Sequence, residues 1–125
     1  MAGPFDNPFG LSALALPLRE QRLKVLSSNI ANADTPGFQA KDLDFQAALK
    51  DAEGRQHGIG PGAGAGLDLR RHISTRDALQ GSLDGNTVST ETEHANFGRA
   101  VLEYRASLTF FESRVRGLMT AITGQ

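Results

Sequence analysis

The sequence predicts a mainly α subunit whose long N- and C-terminal helices pair in a coiled-coil-like bundle, with an irregular, Gly-rich middle region between them. Three observations lead there. Large apolar residues between Phe97 and Ile122 follow a heptad, a second stretch of helical periodicity covers Leu11 to Ala33, and residues 53–66 hold six Gly and one Pro. The chain accordingly divides into an arm and helix over residues 1–36, a middle region over 37–89 and a heptad helix over 90–125. The two helices form one domain by pairing.

Composition narrows the function classes. At 125 residues, 39% hydrophobic and 22% charged, the chain has the make-up of one folded domain or of part of an assembly. The 13 Lys and Arg balance 14 Asp and Glu, so no electrostatic footprint points to nucleic acid or to an anionic membrane. The absence of Cys removes disulfides, thiolate nucleophiles and zinc-thiolate sites. No apolar run reaches membrane-spanning length, and Met1 to Leu18 lacks the basic stretch that opens a secretory signal. Membrane insertion is therefore not expected, and export would follow a route without signal cleavage.

Residues 1–10, with two Pro and two Gly, read as an irregular arm. From there Leu11, Leu14, Leu18 and Val25 recur at helical spacing, and Leu23, Leu26, Ile30 and Ala33 form an offset second stripe. Pro17 interrupts the pattern, so either a regular helix starts near Leu16 to Leu18 with Pro in its first turn, the favoured reading, or the helix is kinked there. Asp34-Thr35-Pro36-Gly37 ends it: the residue before Pro disfavours αR, and Pro-Gly fits the central pair of a type II turn. Ser27, Ser28, Asn29 and Asn32 bring hydroxyl and amide groups to the last turns, where carbonyls lack intrahelical partners.

The run Val25-Leu26-Ser27-Ser28-Asn29-Ile30-Ala31-Asn32-Ala33-Asp34-Thr35-Pro36-Gly37-Phe38 resembles the N-terminal signature of the bacterial flagellar rod, hook and hook-associated proteins. The following Gln39 to Phe45, and Ser82 to Val88 ahead of the heptad helix, are similar to segments of a short proximal rod member of that group. The likeness covers roughly residues 19–45 and 82–122. Two positions depart from it, Gln39 where a basic residue is usual and Ser89 where an acidic one usually follows the valine.

After the turn, Phe38 to Phe45 keeps no single period, so an extended piece should lead into a short helix from about Asp44 to Ala52, capped by Asp42 or Asp44. The two aspartates have neither His nor a third carboxylate nearby in sequence, which speaks against acid-base or metal chemistry. Residues 53–66 have almost nothing to bury and should form a loop, without the GxxxxGK[ST] pattern of a phosphate cradle. Residues 67–81, with Arg70, Arg71 and Arg76 among Leu67, Leu69 and Ile73, suggest a short extended piece. His57, His72 and His94 lack ligand spacing.

Asp84-Gly85-Asn86 signals a tight turn, and Thr90-Glu91-Thr92-Glu93 fits a capping box that would start the last helix near Glu91. Phe97, Val101, Tyr104, Leu108, Phe111, Val115, Leu118 and Ile122 are then separated by alternating steps of four and three, a 3.5-residue repeat that favours one long helix packed along another. An ordinary core-facing helix is the plainer reading. Leu102, Ala106, Phe110 and Gly117 add a second apolar or small strip, which implies further neighbours. The helix should end near Thr123, with Gly124 as terminator.

Two helices with two apolar faces each point to a self-assembling structural protein. An enzyme is disfavoured, since no nucleophile, metal or paired-carboxylate constellation is present, and no cofactor is expected. The resemblance implies a structural subunit of the proximal rod of the flagellar basal body in the periplasm, exported by the flagellar type III apparatus and transmitting torque. Its implied partners are copies of itself, other rod subunits, and export-gate and MS-ring components. A coiled-coil adaptor binding a partner helix is the alternative. The expected assembly interface comprises Leu23, Leu26, Asn29, Ile30 and Asn32 on the first helix and the eight stripe residues Phe97 to Ile122 on the last, with Thr35, Pro36 and Gly37 as the turn motif.

Overall fold

Ala15, Leu18, Val25 and Leu26 lie at spacings that keep one side of a helix apolar, and in the computed structural model that side is the buried side of α1, Gly10–Ala31. The structure describes residues 10–56, 68–76, 85, 86 and 88–124. The arm and most of the Gly-rich segment, residues 57–67, lie outside them. Leu18 and Leu26 are fully buried, each adding about 1.5–3 kcal/mol by removal from water. α1 begins well before the expected start at Leu16 to Leu18. Pro17 stands inside it with its ring exposed to solvent, and the buried Ala15 and Leu18 on either side provide packing that offsets the lost backbone bond.

The predicted reversal forms after α1. Phe38 N–H donates to the Thr35 carbonyl (3.3 Å), and Gly37, at φ 73°, occupies the position of a type II turn that requires positive φ. The chain then enters β1, Lys41–Leu43, which pairs antiparallel with β2, Ile73–Thr75, in the register Lys41 with Thr75, Asp42 with Ser74 and Leu43 with Ile73. Arg76 N–H to the Ala40 carbonyl (2.7 Å) and Asp44 N–H to the His72 carbonyl (2.9 Å) extend the ladder at both ends.

α2, Phe45–Gln56, follows β1 directly. The Asp44 carboxylate accepts from Ala47 N–H (3.1 Å), the expected cap. The helix outruns its expected end at Ala52 and passes through Gly54, with an Asp51–Arg55 pair (3.1 Å) one turn apart in its last stretch. Ala48 and Ala52 are its buried residues, small enough to let it sit close to the rest. Leu18, Leu43 and Ala48 form the central cluster, with Phe45, Leu49, Leu69 and Ile73 packed around it. Leu69–His72 is a 3-10 turn rather than the extended piece expected there. Asp68 initiates it by accepting from Arg70 N–H (3.1 Å), so extended structure is confined to β2.

α3, Thr90–Thr123, runs 34 residues, about 51 Å at 1.5 Å per residue, and ends as expected at Gly124 (φ 72°), whose N–H donates to the Thr120 carbonyl. It packs on α1 in the opposite direction, for Asn29 meets Glu93 near one end while Arg19 meets Glu103 farther along. The start departs from expectation. Ser89 holds the cap position and makes no side-chain cap bond, and the Thr90–Glu93 capping box does not form because the Glu93 carboxylate turns into the protein interior.

Candidate assembly interface

The α1–α3 pair presents one face of α3 inward and another outward. Phe97, Val101, Tyr104, Leu108, Phe111, Val115 and Leu118 are all half-buried, whereas Ile122 is 80% exposed. With Asn29 level with Glu93 and Arg19 level with Glu103, Gly10 comes level with about residue 112, so Val115, Leu118 and Ile122 continue past the first residue of α1. Leu102, Ala106, Phe110 and Gly117, at spacings of four, four and seven, lie away from that stripe, and Phe110 also borders a shallow groove with Ala15, Arg19 and Phe45. All four are exposed, Leu102 and Phe110 each at 69%.

On α1, Leu26 and Asn29 are fully buried within the chain, so their contacts in this conformation are intramolecular. Leu23, Ile30 and Asn32 are half-buried. Leu23 and Phe97 line a shallow groove between the two helices, together with Ala31 and the polar Glu20, Lys24, Ser27 and Ser28. The structure thus splits the expected residues into a set that closes the subunit and a set that remains accessible to a neighbour.

Behind this surface lies a polar clasp. The Asn29 side chain grips both backbone groups of Lys41: its Nδ2 donates to the carbonyl (2.6 Å) and its Oδ1 accepts from the N–H (3.0 Å), as a neighbouring strand would. The second Nδ2 hydrogen goes to Glu93 Oε2 (3.0 Å). Arg76 supplies the positive charge, with Nη1 donating to Glu93 Oε1 at 2.6 Å. Glu93 is 1% exposed, a burial a carboxylate sustains only when paired and hydrogen-bonded. Four segments therefore meet here: the end of α1, β1, the end of β2 and the start of α3.

A second clasp holds the turn. Asn86 Nδ2 lies 3.1, 2.8 and 2.7 Å from the carbonyls of Asn32, Ala33 and Thr35, while its Oδ1 accepts from Val88 N–H (2.8 Å). Carbonyls left without helical partners just beyond α1 are thus satisfied from more than fifty residues away. Gly85 packs beside Gly37, a Cβ at Gly85 falling 3.6 Å from the Gly37 Cα. Thr35, the exposed Pro36 and Gly37 shape the turn, and Asn32 supports it by donating to the Ser28 carbonyl (2.8 Å) and accepting from the Thr35 hydroxyl (3.1 Å).

Chemistry-bearing residues elsewhere serve structure. Asp42 accepts from Leu43 N–H (2.8 Å) and pairs with Arg22 (3.4 Å) and Arg76 (3.6 Å), and Asp44 caps α2. His72 Nε2 lies 3.1 Å from Asp51, tying the 3-10 turn to α2; this bond and the Arg55 bond hold the Asp51 carboxyl below its ordinary pKa of 3.8. His94 is exposed, and His57 lies outside the described residues. Among the described residues no group of three His, Cys, Asp or Glu side chains could hold a metal, and no helix is long and apolar enough to cross a membrane.

Arg76, Asn86 and Glu93 did not stand out as partners in the sequence. A faint signal existed: Asn29 interrupts the buried line of α1 where an apolar residue would continue it, and a polar side chain in such a place needs polar company.

Comparison with known proteins finds relatives along nearly the whole chain. Residues 9–39 match the family described as flagella basal body rod protein. The chain is 41% identical to the flagellar basal body rod protein FlgB of Aeromonas hydrophila, with 100% of this chain and 99% of that one aligned. Likeness to FlgB of Yersinia enterocolitica is 39%, covering 98% of each chain, and to FlgB of Cereibacter sphaeroides 42%, covering 97% and 98%.

Proposed function

The chain belongs to the family of flagellar basal body rod proteins typified by these FlgB relatives, a structural subunit rather than an enzyme, and from that premise we propose that it assembles through the outward face of its terminal-helix pair. The observation that carries the proposal is the exposed strip of Leu102 and Phe110, with Ala106 and Gly117 as small residues between and beyond them. Large apolar side chains on one face of a regular helix are costly to leave in water and natural to cover with another helix.

The accessible residues of the expected interface, Leu23, Ile30 and Phe97 at one end and Val115, Leu118 and Ile122 at the other, lie off that strip and would contact further neighbours. Buried Leu26 and Asn29 keep the subunit in shape. On this reading the subunit stands in the proximal, periplasmic part of the rod, which it reaches through the flagellar type III apparatus without signal cleavage. Its neighbours are copies of itself, other rod subunits and, on the inner side, export-gate and MS-ring components. Packed helices then transmit torque.

The test is photo-crosslinking in motile cells from a photoreactive residue at position 102 or 110, with exposed Lys50, on α2, as a control position. Adducts to a second copy or to another rod subunit at 102 and 110 support the proposal. Adducts from Lys50 alone would overturn it.

A further inference from the structure

We infer that the β1–β2 ribbon is a strap that locks the start of α3 onto α1, with Arg76 as its key. The Glu93 carboxylate is buried to 1%, and its charge is met by the Arg76 guanidinium at 2.6 Å (Nη1 to Oε1) and 3.5 Å (Nη2 to Oε2). Arg76 can stand there only because the ribbon is formed. Its own N–H donates to the Ala40 carbonyl (2.7 Å), and its Nη2 lies 3.4 Å from the Lys41 carbonyl and 3.6 Å from Asp42. Lys41 is in turn held by the same Asn29 that donates to Glu93.

The consequence is a conditional fit. Without Arg76, Glu93 would keep one hydrogen bond from Asn29 and an uncompensated charge, a state more costly than exposing the carboxylate to water. The first turns of α3 would therefore leave α1, and Asn29 would lose its third contact. Ribbon pairing and closure of the helix pair become one event, although the ribbon has only three residues in each strand. The Arg19–Glu103 pair, also between α1 and α3, has no such property. Glu103 is 37% exposed and also pairs with Arg22 (3.5 Å), so it keeps a partner and can rehydrate in place when Arg19 is removed.

This inference concerns the isolated chain and stands or falls separately from the assembly proposal. Amide hydrogen exchange on the purified full chain reads it, comparing Arg76→Ala, Glu93→Gln, the double variant and Glu103→Gln. Arg76→Ala is expected to raise exchange over residues 91–97 at least about tenfold. Combining it with Glu93→Gln, which removes the charge but keeps an acceptor for Asn29, should bring exchange back to within about threefold of the unaltered chain. Glu103→Gln should leave this region unchanged. If Arg76→Ala proves too unstable to purify, recovery of folded double variant supports the lock, and equal failure of both overturns it. Additive effects of the two substitutions, or unchanged exchange in Arg76→Ala, would also overturn it, since a residue that merely packs the ribbon gives that pattern.

Discussion

Asn29 donates a hydrogen bond to Glu93 across 3.0 Å, and both side chains are buried although 64 positions separate them in the chain. The same Asn29 amide completes the backbone pairing of Lys41, so one side chain sets the spacing of α1 against both β1 and α3. Asn29→Ala would strand the Lys41 N–H and remove one bond from a buried carboxylate. A loss of about 2–4 kcal/mol is expected in urea unfolding, from unsatisfied groups worth ~1–3 kcal/mol each. Asn29→Asp should cost at least as much, because it sets a second negative charge beside Glu93.

At the turn, the cost of adding a methyl group is conformational. Gly37 stands at φ 73° with open space where a Cβ would be, so Gly37→Ala should destabilise by about 1–2 kcal/mol through backbone strain alone. Asn86→Ala removes the shared donor to the Asn32, Ala33 and Thr35 carbonyls, and about 1–3 kcal/mol is expected from that. Because Asn86 and Gly37 serve one turn, the double variant should cost less than the sum. Thermal or urea melts of the three variants check this.

Acid should loosen the tie between α2 and the 3-10 turn. The His72 and Arg55 bonds lower the folded pKa of Asp51 from 3.8, so the group stabilises the fold above its unfolded pKa and loses that contribution as pH falls through the lower folded value. Asp51→Asn should be less stable than the unaltered chain at neutral pH and should approach it below about pH 4. Urea midpoints measured from pH 7 downwards test the sign. A difference that grows on acidification would contradict it.

Much of the architecture was legible because it rests on local chemistry. The helical run from Thr90 to Thr123, the Thr35-Pro36-Gly37 reversal, the Asp44 cap and the Gly124 terminator each depend on residues within a few positions of one another. Three readings failed, the first two for the opposite reason. Pro17 looked like a boundary, but tertiary burial of Ala15 and Leu18 carries α1 through it. Thr90 to Glu93 looked like a capping box, yet Arg76 and Asn29 draw the Glu93 carboxylate away from the cap. Leu69 to His72 looked extended, but the Asp68 side chain starts a 3-10 turn. The clasp itself was invisible because its parts, Asn29, Lys41, Arg76 and Glu93, come from four separate segments.

Within the helix pair, the inward and outward faces of α3 should respond differently to charge. Leu108→Asp puts a carboxylate into the half-buried stripe, so it should weaken the subunit itself by several kcal/mol as well as any assembly. Leu102→Asp and Phe110→Asp replace side chains that are 69% exposed, and they should leave stability within about 1 kcal/mol. Circular dichroism melts of the purified variants distinguish the two faces.

The central claim, that the outward face of α3 carries rod assembly, is met most directly by imaging basal bodies isolated from cells whose only copy of this subunit is the Leu102→Asp/Phe110→Asp double variant. Desolvation of two unpaired charges in a covered interface is expected to cost several kcal/mol. The account predicts basal bodies without a rod, from cells that still synthesise a soluble, helical variant subunit. Complete rods containing the variant would contradict it.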